Sequence, residues 1–67
     1  MATINNDTPD FSYLIGKHIK DVVLPDKYSL RVTMYDNILL DISMDFRPTR
    51  VNVHKVNDII VVVDGLY

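Results

Sequence analysis

Three segments with strong β-forming character dominate this chain, and any fold must bury them together. In Tyr28–Tyr35, apolar and polar side chains alternate, which is the period of a strand with one buried face. Arg50–Val56 begins with the same alternation, and Ile59–Val63 is an unbroken β-branched run. Such a run predicts burial on both faces or central pairing in a sheet. Because the turn-forming pairs Asp36–Asn37 and Asn57–Asp58 separate these segments, we predict three strands.

The segment before the first strand has apolar residues at near-helical spacing, namely Leu14, Ile15, Ile19, Val22 and Val23. Pro25 would end a helix at about Leu24. Strong helix formers are scarce, since the chain has no Glu, no Gln and a single Ala. We therefore predict an α+β fold, in which one short helix, from about Lys17 to Leu24, packs on a small mixed β-sheet with an extended exposed loop.

The chain has 67 residues and no cysteine, so neither disulfides nor a cysteine-based zinc site can stabilise it. The core must come from aliphatic side chains, of which Val, Ile and Leu are plentiful. We expect residues 11–67 to form a single domain. Residues 1–10 are polar and predict a flexible N-terminal arm.

Charge and hydropathy exclude two classes of partner. The formal net charge is −2, and the basic residues are spread from Lys17 to Lys55, so a nucleic-acid surface is not expected. No apolar stretch approaches the roughly 18 residues of a membrane span, and the N-terminus lacks a signal-peptide pattern. We expect a soluble monomer that contacts neither nucleic acid nor membrane.

The sequence gives little support for an enzyme. His18 and His54 have no nucleophile beside them in a recognisable arrangement, and no serine stands in a glycine-flanked elbow. The spacing of Asp36, Asp41 and Asp45 lacks the glycine and the ligand density of a calcium loop, so solvated loop acids are the simpler interpretation. We predict no catalytic residues, no metal site and no cofactor.

The segment DISMDFRPTR, from Asp41 to Arg50, fits neither helical nor strand periodicity along its whole length. Arg50 and Asn52 alternate with inward-pointing valines, so both lie on the opposite face of their strand. From there they could donate hydrogen bonds to backbone carbonyls and to Asp45 or Ser43, which would fix the loop in one shape. The alternative is that Arg50 lies on a solvated sheet face.

Met44 stands between two polar residues, which favours exposure, although a methionine that fills a gap in the core is the alternative. Phe46 is open to two interpretations. It could contact a partner, or it could pack onto the body of the domain as a hinge.

Two motifs stand out, LIGK at Leu14–Lys17 and SMDFRPTRVNV at Ser43–Val53. Together they resemble the potato inhibitor I family of serine protease inhibitors, including its fungal elastase-inhibitor-like relatives. In that family the loop reads Thr, a specificity residue such as Met or Leu, an acid, an aromatic residue and Arg, and Arg-Val follows two variable positions. The residues that fall on this pattern without a gap are Ser43, Met44, Asp45, Phe46, Arg47, Arg50 and Val51. The resemblance covers about Tyr13 to Gly65.

The resemblance implies an inhibitor whose reactive-site loop comprises Asp41, Ile42, Ser43, Met44, Asp45, Phe46 and Arg47. Met44 would enter the primary specificity pocket, and the scissile bond would be Met44–Asp45. Arg50 and Asn52 would support the loop. An apolar, unbranched Met44 suits chymotrypsin-, elastase- and subtilisin-like enzymes, so the expected partner is a serine endopeptidase of this kind.

The chain departs from the family pattern at several points. Asn52 stands where many members have a second arginine, and Asp41 stands where subtilisin-like enzymes favour an apolar contact. The helix segment is shorter by about a turn, and the approach to the loop is slightly longer. These departures keep an alternative open, in which the chain is a non-inhibitory interaction module on the same scaffold.

Overall fold

The computed structural model describes residues 10–42 and 44–67. The predicted N-terminal arm therefore lies, apart from Asp10, outside the described residues, and so does Ser43. No helix in these two ranges is long and apolar enough to cross a membrane.

In the part of the chain that is described, four strands form one mixed sheet. They are β1 (Ser29–Tyr35), β2 (Ile38–Leu39), β3 (Arg50–Val56) and β4 (Ile59–Leu66), in the order β2-β1-β3-β4. β1 runs parallel to β3, whereas β2 and β4 are antiparallel to their neighbours. The mixed sheet and the three predicted strands are confirmed, and β2 is an additional short strand.

Both predicted turns are present. Asp36 and Asn37 connect β1 to β2 with φ angles of 49° and 68°, and Asn57 and Asp58 connect β3 to β4 with φ angles of 52° and 65°. Positive φ at both central residues is typical of tight hairpins that match the twist of the strands. Asn and Asp accept this left-handed conformation better than other non-glycine residues, which explains their occurrence here.

The prediction that Ile59–Val63 is buried on both faces or centrally paired is wrong. β4 is an edge strand, and Val61 and Val62 are 43% and 39% exposed, although Ile60 is fully buried. Among residues 10–42 and 44–67, the outer edge of β4 is paired near its start, where Ile60 exchanges backbone hydrogen bonds with Gly16 and Lys17. A continuous β-branched run shows that a segment is a strand, but it does not show how many neighbours the strand has.

The predicted helix from Lys17 to Leu24 is not found. The described segment contains short 3-10 turns at Ser12–Leu14 and Ile19–Asp21 instead. Gly16 has a φ of 93°, and backbone N–H groups of Gly16 and Ile19 donate to the carbonyls of Ile60 and Asp58. The carbonyl of Lys17, which a helix would pair internally, accepts from Ile60 N at 2.9 Å instead, so tertiary contacts override a weak helical pattern.

The core lies on one face of the sheet. Its fully or almost fully buried apolar residues are Phe11, Leu14, Val51, Val53 and Ile60. Phe11 and Leu14 come from the first 3-10 turn, which covers the sheet where a helix was expected. The connection between the parallel strands β1 and β3 includes β2 and the residues of the predicted loop, so the loop emerges where β3 begins.

Candidate functional site

The predicted loop is exposed and, over its described residues, belongs to no strand or helix. Met44 is 95% exposed, so the alternative that it fills a gap in the core is wrong. Asp41, Asp45 and Arg47 are also exposed, and Ile42 is half-buried. The loop therefore presents the apolar side chain of Met44 to solvent, with acidic residues at positions 41 and 45 and a basic residue at position 47.

Arg50 reaches back from the start of β3 to the loop. Its Nη2 donates to the main-chain oxygen of Asp45 at 2.9 Å and approaches the Asp45 carboxylate at 3.5 Å. The Arg50 side chain is only 13% exposed, so the alternative of a fully solvated sheet face is wrong. A charge-assisted bond to a backbone carbonyl fixes the backbone itself, one residue beyond Met44.

A second arginine engages the same aspartate. Arg47 Nε lies 2.8 Å from Asp45 Oδ2, in an ion pair whose two side chains are 65% and 44% exposed. Exposed pairs of this kind contribute about 0 to 1 kcal/mol because solvent screens them. The Arg50 side chain is much less exposed than that of Arg47, so its bond to the Asp45 main-chain oxygen is expected to contribute more to the loop shape.

A tight turn ends the loop. Arg50 N donates to Arg47 O at 3.0 Å across Pro48 and Thr49, and Thr49 O accepts from Ser29 N at 2.9 Å. Proline at the second position of such a turn presets the backbone angle that the turn requires. The loop is therefore attached at its end to β1 as well as to β3.

Asn52 occupies a fully buried position on the face of β3 opposite to the core valines. Its Nδ2 donates to the main-chain oxygens of Arg50, Gly65 and Tyr67 at 3.2, 3.1 and 3.2 Å. Its Oδ1 accepts from Arg31 Nε at 2.6 Å. These bonds lead to the ends of β3 and β4 and not to the described loop residues, so any support that Asn52 gives to the loop is indirect.

Tyr67 connects these side chains. Its main-chain oxygen accepts from Arg50 Nε at 3.0 Å, from Asn52 Nδ2 at 3.2 Å and from Arg31 Nη2 at 3.4 Å. The Arg31 guanidinium also lies 5.5 Å from the centroid of the Tyr67 ring. Arg50 therefore contacts the loop with one end of its guanidinium and the Tyr67 backbone with the other.

Sequence reasoning missed the roles of Arg31 and Tyr67. A signal existed for Arg31, because alternation places it on the polar face of β1, and the parallel pairing sets it beside Asn52. Tyr67 follows the last strand and belongs to no periodic pattern, so no comparable signal marks it.

Among the ionisable groups outside the loop whose pKa values are shifted by specific partners are Tyr67 and Asp58. The pKa of Tyr67 is raised because its hydroxyl donates to the Asp64 carboxylate, and partial burial acts in the same direction. The pKa of Asp58 is lowered by its hydrogen bond from Lys55. Within residues 10–42 and 44–67, no group of three potential metal-ligating side chains comes together.

An open groove of about 600 Å³ lies beside the exposed Phe46 side chain, which is 69% exposed. Its walls include Phe11, Ile15, Pro48 and Leu66. Phe46 thus borders the body of the domain without being buried in it, which leaves it accessible to a partner.

No family model, no curated protein and no solved structure matches this chain. The resemblance to potato inhibitor I therefore depends on the loop and LIGK motifs themselves.

Proposed function

We propose that this chain is a serine protease inhibitor that acts through a substrate-like reactive-site loop, as the potato inhibitor I family does. The loop comprises residues 41–47, with Met44–Asp45 as the scissile bond. The observation that carries the proposal is the combination of a 95% exposed Met44 with a hydrogen bond from Arg50 to the next residue's main-chain oxygen. An exposed specificity residue beside a restrained backbone is what such a mechanism requires.

The proposed mechanism follows from restraint. A flexible peptide loses conformational entropy when a protease binds it, whereas a loop already held in shape loses less and binds more tightly. After the enzyme's serine attacks the Met44 carbonyl carbon, the Met44–Asp45 bond breaks and the new amine of Asp45 takes a proton from the catalytic histidine.

The amine that leaves is also restrained. Arg50 and Arg47 both bond to Asp45, and the turn at Pro48 ties the following chain to the sheet. An amine held beside the acyl-enzyme has a high effective concentration, so it re-forms the peptide bond faster than water hydrolyses the ester. The enzyme is then occupied by a substrate that it scarcely consumes.

The Met44 side chain indicates the class of protease. Its unbranched apolar side chain suits the pockets of chymotrypsin-, elastase- and subtilisin-like enzymes, whereas a trypsin-like pocket contains a buried acid and favours Lys or Arg. We propose a serine endopeptidase of the first group as the partner of a monomeric inhibitor domain.

Titration of subtilisin, chymotrypsin, elastase and trypsin with the wild type and Met44→Lys tests this proposal. We expect the wild type to inhibit at least one of the first three, and Met44→Lys to move its preference toward trypsin. Val23→Lys is a matched control, since Val23 is 76% exposed but lies outside the loop. If micromolar wild type leaves all four enzymes active, the proposal is wrong.

A second candidate is a non-inhibitory interaction module on the same scaffold. It is favoured by the contacts of Asn52, whose amide donates to main-chain oxygens near the ends of β3 and β4. The bond from β3 to Asp45 therefore comes from Arg50 and not from Asn52. This candidate predicts rapid, irreversible cleavage of Met44–Asp45 by a chymotrypsin-like enzyme, which the first proposal forbids.

A further inference from the structure

We propose that Arg31 and Tyr67 are positioning residues that set the order of the loop through Arg50. The consequence for inhibition rests on the proposed function, whereas the consequence for loop order does not. The two side chains lie on the face of the sheet opposite to the core, and Arg31 comes from β1, the strand that precedes the loop.

The guanidinium of Arg50 is planar and donates hydrogen bonds in two directions. Nε donates to Tyr67 O at 3.0 Å, and Nη2 donates to Asp45 O at 2.9 Å. Because the guanidinium is rigid, the direction of one bond determines the direction of the other. A displacement of the Tyr67 main chain would therefore turn Nη2 away from the Asp45 carbonyl.

The position of Tyr67 does not follow from the strand ladder alone. β4 ends at Leu66, and Val51 with Leu66 is the last pair of the β3–β4 ladder. Beyond it, the bond from Tyr67 N to Arg50 O is long, at 3.3 Å. Three side chains donate to the Tyr67 main-chain oxygen, from Arg50, Asn52 and Arg31. The Tyr67 side chain adds the hydroxyl bond to Asp64, a hydrogen bond with Thr33 and the packing of the ring against Arg31.

Arg31 holds Tyr67 in two ways at once. Its guanidinium lies 5.5 Å from the ring centroid, which is within the range of an attractive cation–π contact, and its Nη2 donates to Tyr67 O at 3.4 Å. Its Nε bonds to the buried Asn52, which fixes the plane of the guanidinium. A planar group that stacks and donates together cannot be replaced by the ammonium of lysine without loss.

The test uses substitutions that keep the Tyr67 main-chain oxygen. Tyr67→Leu removes the ring, Tyr67→Phe keeps the ring but removes the hydroxyl, and Arg31→Lys keeps the charge but removes the planar group. The control is Tyr35→Leu. Lys55 lies 5.5 Å from the Tyr35 ring centroid, in a cation–π pair like that of Arg31 and Tyr67 but near the other ends of β1 and β3. The readouts are ¹⁵N relaxation of amides 45–47 in the free protein and the inhibition constant.

Tyr67→Leu removes the cation–π contact, and Arg31→Lys removes the planar donor that bonds to Asn52 and Tyr67 O. We expect both to increase the amplitude of motion at residues 45–47 and to weaken inhibition about two- to fivefold. Tyr67→Phe should stay nearer to the wild type than Tyr67→Leu, and Tyr35→Leu should change neither readout. If Tyr67→Leu fails to fold, Arg31→Lys decides the question alone.

Loop relaxation identical to the wild type in the folded Tyr67→Leu and Arg31→Lys variants would overturn the inference. So would an equal effect of Tyr35→Leu, since that result would indicate a general loss of stability. If the wild type inhibits no protease but loop motion responds as described, the proposed function fails and the positioning role stands.

Discussion

Substitution of Arg50 by alanine removes the hydrogen bond that connects the main chain of the loop to a side chain of β3. The side chain is 13% exposed and donates to Asp45 O at 2.9 Å. A hydrogen bond from a charged group contributes about 1.5 to 3 kcal/mol. If this energy restrains the loop, its loss weakens inhibition by a factor of about 10 to 150.

The assay measures the inhibition constant against subtilisin and, in parallel, the rate at which the Met44–Asp45 bond is cleaved. For Arg50→Ala we expect a higher inhibition constant and faster cleavage. Arg47→Ala is the comparison, because it removes an exposed ion pair with the same aspartate, worth about 0 to 1 kcal/mol, and should change the constant by fivefold at most.

Urea unfolding of both variants separates loop effects from global stability, since Arg50 also bonds to Tyr67. The reasoning is refuted if folded Arg50→Ala inhibits within twofold of the wild type, or if Arg47→Ala has the larger effect. Either result would mean that the Arg50 bond does not determine the order of the loop.

Two further predictions concern the scaffold. The pKa of Tyr67 is raised by its bond to Asp64, so this bond stabilises the fold below about pH 10 and its contribution is lost as the pH rises through the higher pKa of the folded state. Thermal unfolding followed from pH 8 to 11 should show this alkaline loss in the wild type and not in Tyr67→Phe, and identical profiles would contradict it. Ile60→Ala should cost about 2 to 5 kcal/mol in urea unfolding because Ile60 is fully buried. Val62→Ala, at a 39% exposed position of the same strand, should cost less than half as much, and equal losses would contradict the edge position of β4.

The sheet could be predicted from the sequence because alternation reports directly which faces of a strand are buried. The turn pairs Asp36–Asn37 and Asn57–Asp58 could be predicted for the same kind of reason, since few residues accept positive φ at both central positions. Alternation also placed Arg50 on the face opposite to the core. Each of these features depends on residues that are adjacent in the chain.

Features that depend on distant residues were not predictable. The apolar spacing before Pro25 resembles that of a helix, but Gly16 and Ile19 bond to Ile60 and Asp58, which are about 40 residues away. Asn52 was expected to support the loop because it shares a face of β3 with Arg50. Its amide bonds instead to Arg50, Gly65 and Tyr67, and no local pattern marks the position of Tyr67. Where a fold depends on contacts between distant parts of the chain, the periodicity of the sequence cannot reveal those contacts.

The most direct test of the proposed inhibitor is whether a protease re-forms the bond that it cuts. The chain cleaved at Met44–Asp45 should be purified and incubated with a catalytic amount of subtilisin, beside the intact chain, and both followed by mass spectrometry. We expect the two samples to converge on the same mixture of intact and cleaved chains, because Arg50 and the Pro48 turn hold the new amine in place. If intact chain never appears from the cleaved sample while the intact sample is steadily consumed, restraint of the loop does not produce inhibition.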